Sequence, residues 1–261
     1  MKPPITYYGG KQKMASKILP LIPKHNLYCE PFFGGGAIFF MKPPSELEVI
    51  NDTNGDLINF FRVMKNDFRK LNKEIKTTLY AREHHKTAKV ILDNPKLFSD
   101  VKRAWAIWVM AHQSYASKLD GPWGYDITIN TSPKRLANKR RAFPDFSKRL
   151  EQVQIECNDA LKVITSRDTK ASFFYCDPPY YNSDMGHYKG YTKDDFEKLL
   201  QTLSKIKGKF LLSSYPSDII ANYSKKNKWY TQKIDTAMSI SSARFETKKR
   251  KTEVLTANYP I

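Results

Sequence analysis

Short runs of apolar residues recur along the chain, and most of them end abruptly at glycine, proline, asparagine or aspartate. They lie at 27–29, 47–50, 153–157, 172–176 and 210–212. Continuous apolar runs of this length are typical of strands that are buried on both faces of a parallel sheet. The pattern therefore predicts five buried strands.

Apolar residues with helical spacing fill the segments between these runs. They are found at 10–21 and 56–64, and most clearly at 101–115. Thr192 and Asp195 have the spacing of a capping box at the start of a further helix. Strands that alternate with helices predict an α/β fold with a doubly wound, mostly parallel sheet.

The middle of the chain breaks this alternation. Residues from about 65 to 149 are polar with helical spacing, and the chain becomes irregular and basic at 134–141. We therefore predict a mainly helical domain, 65–154, inserted into an α/β core that is formed by 1–64 and 155–261.

The last part of the chain predicts an antiparallel hairpin. Its arms would be 230–240 and 253–259, on either side of a basic, polar stretch. Antiparallel strands at the edge of an otherwise parallel sheet are common in doubly wound folds. We therefore place this hairpin at the sheet edge.

The composition shows that the chain is strongly basic. The 261 residues include 44 Lys and Arg against 26 Asp and Glu, which gives a formal net charge of +18. Because 41% of the residues are hydrophobic, the chain can bury a core and is not of the disordered class. The charge favours a polyanionic partner, since each Lys or Arg placed against a phosphate releases condensed counterions. Charge alone does not distinguish this protein from other basic proteins.

The cysteine, histidine and hydropathy patterns disfavour disulfide-bonded, metal-binding and membrane proteins. Cys29, Cys157 and Cys176 lack CxxC spacing and lie in apolar stretches, so we expect reduced, buried thiols without a disulfide framework or a metal site. His84 and His85 have no Cys or carboxylate partner at ligand spacing. The chain has no run of about 18 apolar residues and no apolar leader, so we expect a cytoplasmic protein without a membrane partner.

Two strand ends carry residues that suit the binding of a nucleoside. Gly34, Gly35 and Gly36 follow the first predicted strand, where glycines allow a tight turn and close approach to a ligand. Asp52 ends the second strand, where a carboxylate can accept hydrogen bonds from ribose hydroxyls. In doubly wound sheets, ligands bind at the carboxyl ends of the strands. The loop lacks the P-loop pattern, which disfavours a nucleotide hydrolase.

The fourth predicted strand ends in Asp177, Pro178, Pro179 and Tyr180. The prolines fix the backbone and donate no hydrogen bonds, so carbonyl oxygens can face a cleft. Tyr180 offers a flat face for stacking a planar base. A carboxylate and a carbonyl that accept both N–H groups of an aromatic amine would hold its nitrogen towards a pyramidal geometry. The lone pair would then be free to attack a methyl sulfonium, so the tetrapeptide predicts methyl transfer to an amino group.

Four motifs therefore lie in a fixed order along the two halves of the predicted core. They are Tyr7 to Lys11, Glu30 to Ala37, Asn51 with Asp52, and Asp177 to Tyr180. This order resembles that of Dam-type DNA adenine N6-methyltransferases of the D12 class, alpha group. Residues 239–242 and 253–255 also resemble the closing segment of that family. The resemblance implies a Rossmann-like fold, S-adenosylmethionine as the methyl donor, and transfer to N6 of adenine in double-stranded DNA.

The resemblance also implies which residues form the site. The catalytic tetrapeptide maps onto Asp177 to Tyr180, and no metal is implied. Tyr7 and Lys11 would hold the methionine part of the donor, although composition alone would make Lys11 a solvated surface lysine. The residues that would bind the cofactor are Tyr7, Lys11, Phe32, Gly34, Gly36, Asp52 and Asp177.

A duplex hides the adenine amine, so an enzyme of this kind must flip the base out of the helix. We expect the inserted domain to supply the DNA contacts. The candidates are Gln113, Ser114, Tyr115, Lys118, Trp123, Lys134, Arg135, Lys139, Arg140 and Arg141. The stretch 111–118 does not reproduce the Asn/Arg/Gly-rich pattern of the family members that read GATC, so we do not predict GATC as the target.

Other functions stay open at this point. The same chemistry serves cytosine N4, where Ser is more common than Asp at the first tetrapeptide position, and amide nitrogens or RNA bases, where Asn is typical. A third alternative is a non-catalytic nucleic-acid binding protein on a decayed methyltransferase fold, which Asp52, Asp177 and Tyr180 disfavour. The sequence also leaves open whether the enzyme is solitary or is the modification partner of a companion restriction endonuclease.

Overall fold

The structure of the chain is a computed structural model that describes residues 1–7, 9–182, 190–237 and 250–261. Tyr8 and residues 239–242, which carry part of the resemblance, lie outside the described residues. Within the described ranges, seven strands form a mostly parallel sheet, and helices alternate with them along the chain. The predicted α/β fold with a doubly wound, mostly parallel sheet is confirmed.

The strands coincide with the predicted apolar runs and with the predicted C-terminal hairpin. They are β1 (Leu27–Glu30), β2 (Leu47–Asn51), β3 (Gln154–Glu156), β4 (Ser172–Cys176), β5 (Lys209–Ser214), β6 (Tyr230–Ala237) and β7 (Arg250–Ala257). β6 and β7 pair antiparallel, as predicted.

The helices include those predicted at 56–64 and 101–115. In the described part of the chain they are α1 (Ala15–Ile18), α2 (Ala37–Met41), α3 (Gly55–Asn66), α4 (Phe68–Thr77), α5 (Arg82–Asp93), α6 (Asp100–Gln113), α7 (Thr131–Arg141), α8 (Phe143–Leu150), α9 (Ala160–Ser166), α10 (Lys193–Leu203) and α11 (Asp218–Asn227). None of these described helices has the length and apolar composition that crossing a bilayer requires.

The chain divides into two compact units. The first unit contains 1–20 and 33–159, and the second contains 21–32 and 160–261. In the first unit β2 pairs in parallel with β3. In the second unit the strand order is β1-β4-β5-β7-β6, in which the pairs β1–β4 and β4–β5 are parallel. Residues 65–154 lie inside the first unit, and their role as a recognition domain stays a prediction.

The core of the first unit is largely aromatic. Phe33 packs edge-on against Phe61 of α3 with ring centroids 4.8 Å apart, and Trp108 of α6 packs edge-on against Phe143 of α8 at 5.3 Å. All four side chains are buried. Because Phe33 directly precedes the glycine loop, this close-packed core fixes where the loop begins.

In the second unit, β4 is buried along its whole length. α10 begins at the predicted capping box, where Asp195 N donates to Thr192 Oγ1 at 3.2 Å and Thr192 N donates to Asp195 Oδ2 at 2.9 Å. The capping box is therefore confirmed. Since β4 is paired on both sides, the tetrapeptide that follows it starts from a fixed point.

The helix predicted at 10–21 is wrong as a single element. A 3-10 turn at Lys11–Lys13, the short α1 and a second 3-10 turn at Leu19–Leu21 take its place. Pro20 lacks the N–H that would continue a helix, and the residue before a proline is disfavoured in the α region.

The irregular structure predicted for 134–141 is also wrong, because this segment belongs to α7. Thr131 N and Ser132 N in its first turn donate to Asp126 Oδ2 at 2.8 and 2.6 Å. Leu136 is buried, so α7 has an apolar side that packs on the unit. An acidic cap and one buried face are thus sufficient to fold this basic segment as a helix.

β3 corrects two further predictions. It has three residues and is partly exposed, so it is not a buried strand. Cys157 follows it and is exposed, whereas Cys29 and Cys176 are buried as predicted. Cys29, Cys157 and Cys176 are thiols outside any disulfide, as predicted.

A buried charge network ties α8 to β2 in the first unit. Glu48 Oε1 accepts from Lys42 Nζ at 2.6 Å and from Arg149 NH2 at 2.7 Å, and Glu48 Oε2 accepts from Arg149 NH1. The Arg149 guanidinium also lies 3.8 Å from the ring centroid of Phe39. Burial alone would raise the pKa of Glu48, but the hydrogen bonds from Arg149 and Lys42 outweigh burial and lower it.

We predict that Glu48→Ala lowers the free energy of unfolding by about 3–5 kcal/mol, because two buried cations lose their counter-charge. Denaturant unfolding measures this, with Lys89→Ala as the control, since the exposed Lys89–Asp93 pair should contribute at most about 1 kcal/mol. The folded pKa of Glu48 is below its unfolded value of about 4.3, so this stabilisation is present above that pH and is lost as the pH falls through the folded pKa. An equal loss in both variants would contradict the role of the network.

Candidate active site

The Asp52 carboxylate organises the loops of the first unit. Gly34 N donates to Asp52 Oδ2 at 2.8 Å, and Asn54 N donates to Asp52 Oδ1 at 2.9 Å. Asn54 in turn caps α3, since its Oδ1 accepts from Asp56 N and Leu57 N, both at 3.1 Å. Burial raises the pKa of Asp52, and the hydrogen bonds from Asn54 and Gly34 partly offset this effect. One carboxylate therefore links the glycine loop to the start of α3.

The glycine loop lies against the ring of Tyr7. A Cβ atom on Gly34 would lie 3.2 Å from Tyr7 Cδ1, and one on Gly35 would lie 2.8 Å from Tyr7 Cβ. Gly36 has a φ of +65°, and a Cβ there would overlap Phe33 Cζ. Burial raises the pKa of Tyr7, and the negative charge of Asp52 raises it further. The Tyr7 phenol is therefore a neutral hydrogen-bond donor beside a surface that only glycine allows.

Lys11 is buried in the first unit, at 6% exposure, and is not the solvated lysine that composition suggested. Its Nζ donates to Gly9 O at 3.2 Å. Phe32 lies in the second unit, where its ring packs edge-on against Tyr191 with centroids 6.4 Å apart. The structure thus brings Tyr7, Gly34 and Asp52 together within the first unit and places Phe32 in the second.

The tetrapeptide follows β4 in the second unit, and Tyr180 is its best-anchored residue. The Tyr180 hydroxyl donates towards Glu253 Oε2 at 3.1 Å and towards Asp177 Oδ1 at 3.3 Å. Its ring packs edge-on against Tyr215 with centroids 4.4 Å apart. Burial raises the pKa of Tyr180, and the charges of Asp177 and Glu253 raise it further. Tyr180 is therefore a neutral phenol that is shared between two carboxylates.

Glu253 is a candidate site residue that the sequence analysis placed in the closing segment 253–255 but gave no role at the site, because it stands 73 positions from Tyr180. The sequence gives one weak indication that Glu253 has a polar partner, which is its position on the strand. Side chains alternate along a strand, so Glu253 shares a face of β7 with the fully buried Leu255. A carboxylate on the same strand face as a buried leucine needs a polar partner, and here the partner is Tyr180.

Several of the candidate DNA residues are engaged inside the first unit. Gln113 is fully buried, with Nε2 donating to Leu79 O at 2.8 Å and Oε1 accepting from Ala81 N at 3.1 Å. Ser114 is buried, and its Oγ lies 3.0 Å from His85 Nε2. These side chains satisfy polar groups of the unit itself.

Some of the basic residues predicted to contact DNA also bind groups within the first unit, whereas others are exposed. Arg140 NH1 donates to the backbone oxygens of Lys76 and Thr78, each at 3.1 Å, and Lys139 Nζ donates to Pro3 O. Burial, together with the nearby positive charges of Lys2 and Arg135, lowers the pKa of Lys139 to about 8. The candidates with exposed side chains are Tyr115, Lys134, Arg135 and Arg141, while Lys118 and Trp123 are half-buried.

The described residues contain no group of three or more His, Cys, Asp or Glu side chains that could hold a metal ion. The expectation that the reaction uses no metal stays a prediction. The first unit instead offers the Asp52 carboxylate and the Tyr7 phenol at the glycine loop, and the buried Lys11 amine. Such a set suits an organic ligand with hydroxyl, amino and carboxylate groups.

Comparison with known proteins assigns the family. Residues 7–252 match the model of the D12 class N6 adenine-specific DNA methyltransferases. The chain is 26% identical over 279 residues to the type II methyltransferase M1.LlaDCHI of Lactococcus lactis subsp. cremoris, which covers 99% of this chain and 96% of that protein. It is 27% identical over 247 residues to the type II methyltransferase M.MjaIII of Methanocaldococcus jannaschii, at 82% and 84% coverage.

A third relative is the DNA adenine methylase of Haemophilus influenzae, which is 25% identical over 202 residues and covers 75% of this chain and 70% of that protein. The family match places the chain in the class of S-adenosylmethionine-dependent methyltransferases. The chain belongs to the D12 class N6 adenine-specific DNA methyltransferases. It is an enzyme that transfers a methyl group from S-adenosylmethionine to N6 of adenine in DNA.

We predict that Gly35→Ala displaces Tyr7 and weakens S-adenosylmethionine binding by about ten-fold or more, since the new methyl group would overlap Tyr7 Cβ. Isothermal titration calorimetry measures the affinity. Gly55→Ala is the matched control, because a Cβ there would meet Cys157 Sγ at an ordinary 4.0 Å. Unchanged affinity in Gly35→Ala would show that Tyr7 does not depend on the loop.

Proposed function

We propose that residues of the first unit bind the methyl donor and that the tetrapeptide after β4 binds the adenine. Three residues of the first unit would bind the donor. Asp52 would accept from the ribose hydroxyls, and Tyr7 and Lys11 would hold the methionine carboxylate. The Cβ-free backbone of the glycine loop and the neutral phenol of Tyr7 support this fit.

When bound, S-adenosylmethionine supplies an electrophilic methyl group on a sulfonium. Residues of the chain would bind and orient the adenine that accepts this methyl group. Asp177 and the Pro178 carbonyl would accept the two N–H groups of the adenine amine and direct its lone pair towards the methyl group. Asp177 would also accept the proton that the amine releases after transfer. Tyr180 would stack on the adenine ring.

The observation that carries this proposal is the pair of hydrogen bonds at Tyr180. A phenol held at its hydroxyl end by Glu253 and Asp177, and packed against Tyr215, has a fixed ring plane. A fixed ring is a better stacking platform than a rotating one, because less conformational freedom is lost on binding. Glu253 is therefore a positioning residue for Tyr180.

We further propose that the enzyme binds double-stranded DNA through residues 65–154 and flips the adenine out before transfer. The exposed cations Lys134, Arg135 and Arg141 of α7 support this role, since each can neutralise a phosphate. Gln113 and Ser114 have structural roles in this proposal, because their polar atoms are engaged within the unit. The protein would act in the cytoplasm.

We also propose that the enzyme is the modification partner of a restriction endonuclease. Two of the relatives are named type II methyltransferases, and one of them matches almost the whole chain. A solitary methylase is the alternative.

The direct test is incubation of the protein with labelled S-adenosylmethionine and genomic DNA, followed by nucleoside analysis and single-molecule sequencing. We expect N6-methyladenine in one short sequence context. Asp177→Ala should lose at least about a thousand-fold in methyl transfer, as expected for removal of a group that stabilises transition-state charge, while DNA affinity stays within about two-fold. Asp194→Ala, an exposed acid on α10, is the control. Label in N4-methylcytosine would replace the proposal with cytosine N4 transfer.

A double-mutant cycle tests the positioning role of Glu253. We predict that Glu253→Ala lowers kcat/KM by about ten-fold, close to the contribution of one hydrogen bond to a charged group. Glu253→Gln keeps an acceptor and should restore most of the loss. In a Tyr180→Phe background, Glu253→Ala should have no further effect, because the hydroxyl is already absent. Additive losses in the double variant would show that Glu253 acts on something other than Tyr180.

A further inference from the structure

The segment 3–7 of the first unit leads to Tyr7 and belongs to no strand or helix. Pro3, Pro4 and Ile5 are buried. Proline has no backbone N–H, so neither Pro3 nor Pro4 can donate the hydrogen bonds that pair a strand with a sheet. The carbonyl groups of this buried segment therefore need donors from elsewhere in the unit.

The backbone of this segment lies directly against the glycine loop. A Cβ atom on Gly35 would lie 3.5 Å from Ile5 O and 3.7 Å from Tyr7 N. Two consecutive prolines fix their own φ angles and restrict the residue before each of them, so the segment is stiff. A shift at Pro3 is therefore carried along the backbone to Tyr7, and the position of Tyr7 depends on what holds Pro3.

Lys139 of α7 holds Pro3. Its Nζ donates to Pro3 O, a contact between residues that are 136 positions apart. The same amine lies 5.5 Å from the ring centroid of Phe146 in α8, and the buried Leu136 packs α7 on the unit. The hydrogen bond therefore comes from a fixed helix, and a charged donor makes a stronger hydrogen bond than a neutral one.

A lysine is a costly side chain at this position. Lys139 is half-buried, and the positive charges of Lys2 and Arg135 lie near it. For stability alone an apolar side chain of similar length would suit the position, since it would fill the space without removing a charge from water. What Lys139 adds is the hydrogen bond to Pro3 O.

We propose that Lys139 is a positioning residue for the methyl donor, because its hydrogen bond to Pro3 holds segment 3–7 so that Tyr7 lies against the glycine loop. This inference rests on the proposed binding of S-adenosylmethionine by Tyr7. All of the contacts that carry it lie within the first unit. α7 then has two roles, since its exposed cations Lys134 and Arg135 face solvent while Lys139 supports the donor site.

The test measures the affinity for S-adenosylmethionine by isothermal titration calorimetry in Lys139→Met and Lys65→Met. Lys65 is the matched control, because its Nζ also donates to a backbone carbonyl of the first unit, Val153 O at 2.8 Å. We expect Lys139→Met to weaken donor binding about ten-fold, close to the contribution of one hydrogen bond to a charged group, and the control to stay within about two-fold. In methylation assays the loss should appear in KM for the donor, with kcat within about two-fold.

Two measurements on the donor-free protein separate positioning from stability. Hydrogen exchange at the amides of residues 5–7 should rise about ten-fold in Lys139→Met and stay at the wild-type rate in Lys65→Met. The denaturant midpoint of Lys139→Met should not fall below that of Lys65→Met, because removal of a half-buried charge offsets the lost hydrogen bond. If Lys139→Met does not fold, Lys139→Gln, whose neutral side chain is shorter, should show the same loss of donor affinity.

A double-mutant cycle tests whether Lys139 acts through Tyr7. Tyr7→Ala alone should weaken donor binding by about ten-fold or more. In that background Lys139→Met should have less than about a two-fold further effect, because the side chain that it positions is absent. Additive losses would show that Lys139 supports the donor by another route and would overturn the inference.

Two other results would also overturn it. They are an unchanged donor affinity in Lys139→Met, and a loss of DNA affinity with the donor affinity intact, which would make Lys139 the DNA contact that the sequence predicted. Failure of the proposed function is distinct, since Tyr7→Ala would then bind S-adenosylmethionine as tightly as the wild-type protein does.

Discussion

Two backbone N–H groups that donate to one half-buried carboxylate organise the loops of the first unit. Asp52 holds Gly34 with one oxygen and Asn54 with the other. Partial burial of a carboxylate without hydrogen bonds would be costly, and these two hydrogen bonds offset that cost. The position of the glycine loop, the packing of Tyr7 on it and the start of α3 all follow from this arrangement.

In the second unit, hydrogen bonds to carboxylates also hold a polar group next to a strand end. There the buried polar atom is the Tyr180 hydroxyl, and the acceptors are Asp177 and Glu253. In both units a strand end is made rigid by satisfying polar groups and not by apolar packing alone. Rigid polar groups suit methyl transfer, because a preorganised acceptor needs little reorganisation as charge develops on the amine.

Signals that are local in the sequence predicted the structure well. The apolar runs at 172–176 and 210–212 predicted β4 and β5, and the capping box of Thr192 predicted the start of α10. These features depend on periodicity and on neighbours a few residues apart, which a sequence displays directly. The order of the four motifs then predicted the family and the reaction.

Features that depend on distant partners were not predictable in this way. The DNA contacts of Gln113 and Arg140 stay predictions, but the sequence did not show that their side chains bind backbone groups 34 and 62–64 positions away. α7 folds as a helix although its sequence suggested irregular structure, because Asp126 caps it and Leu136 is buried. Glu253 was missed for the same reason, since only the fold places it at Tyr180.

The central claim is that Asp177 and Pro178 hold the adenine amine while Tyr180 stacks on the ring. A crystal structure of the protein with S-adenosylhomocysteine and a duplex that carries the target sequence tests this claim most directly. The account requires adenine N6 to lie about 3 Å from both an Asp177 carboxylate oxygen and the Pro178 carbonyl oxygen, with the ring parallel to Tyr180. An adenine bound elsewhere, or with N6 turned away from Asp177, would contradict it.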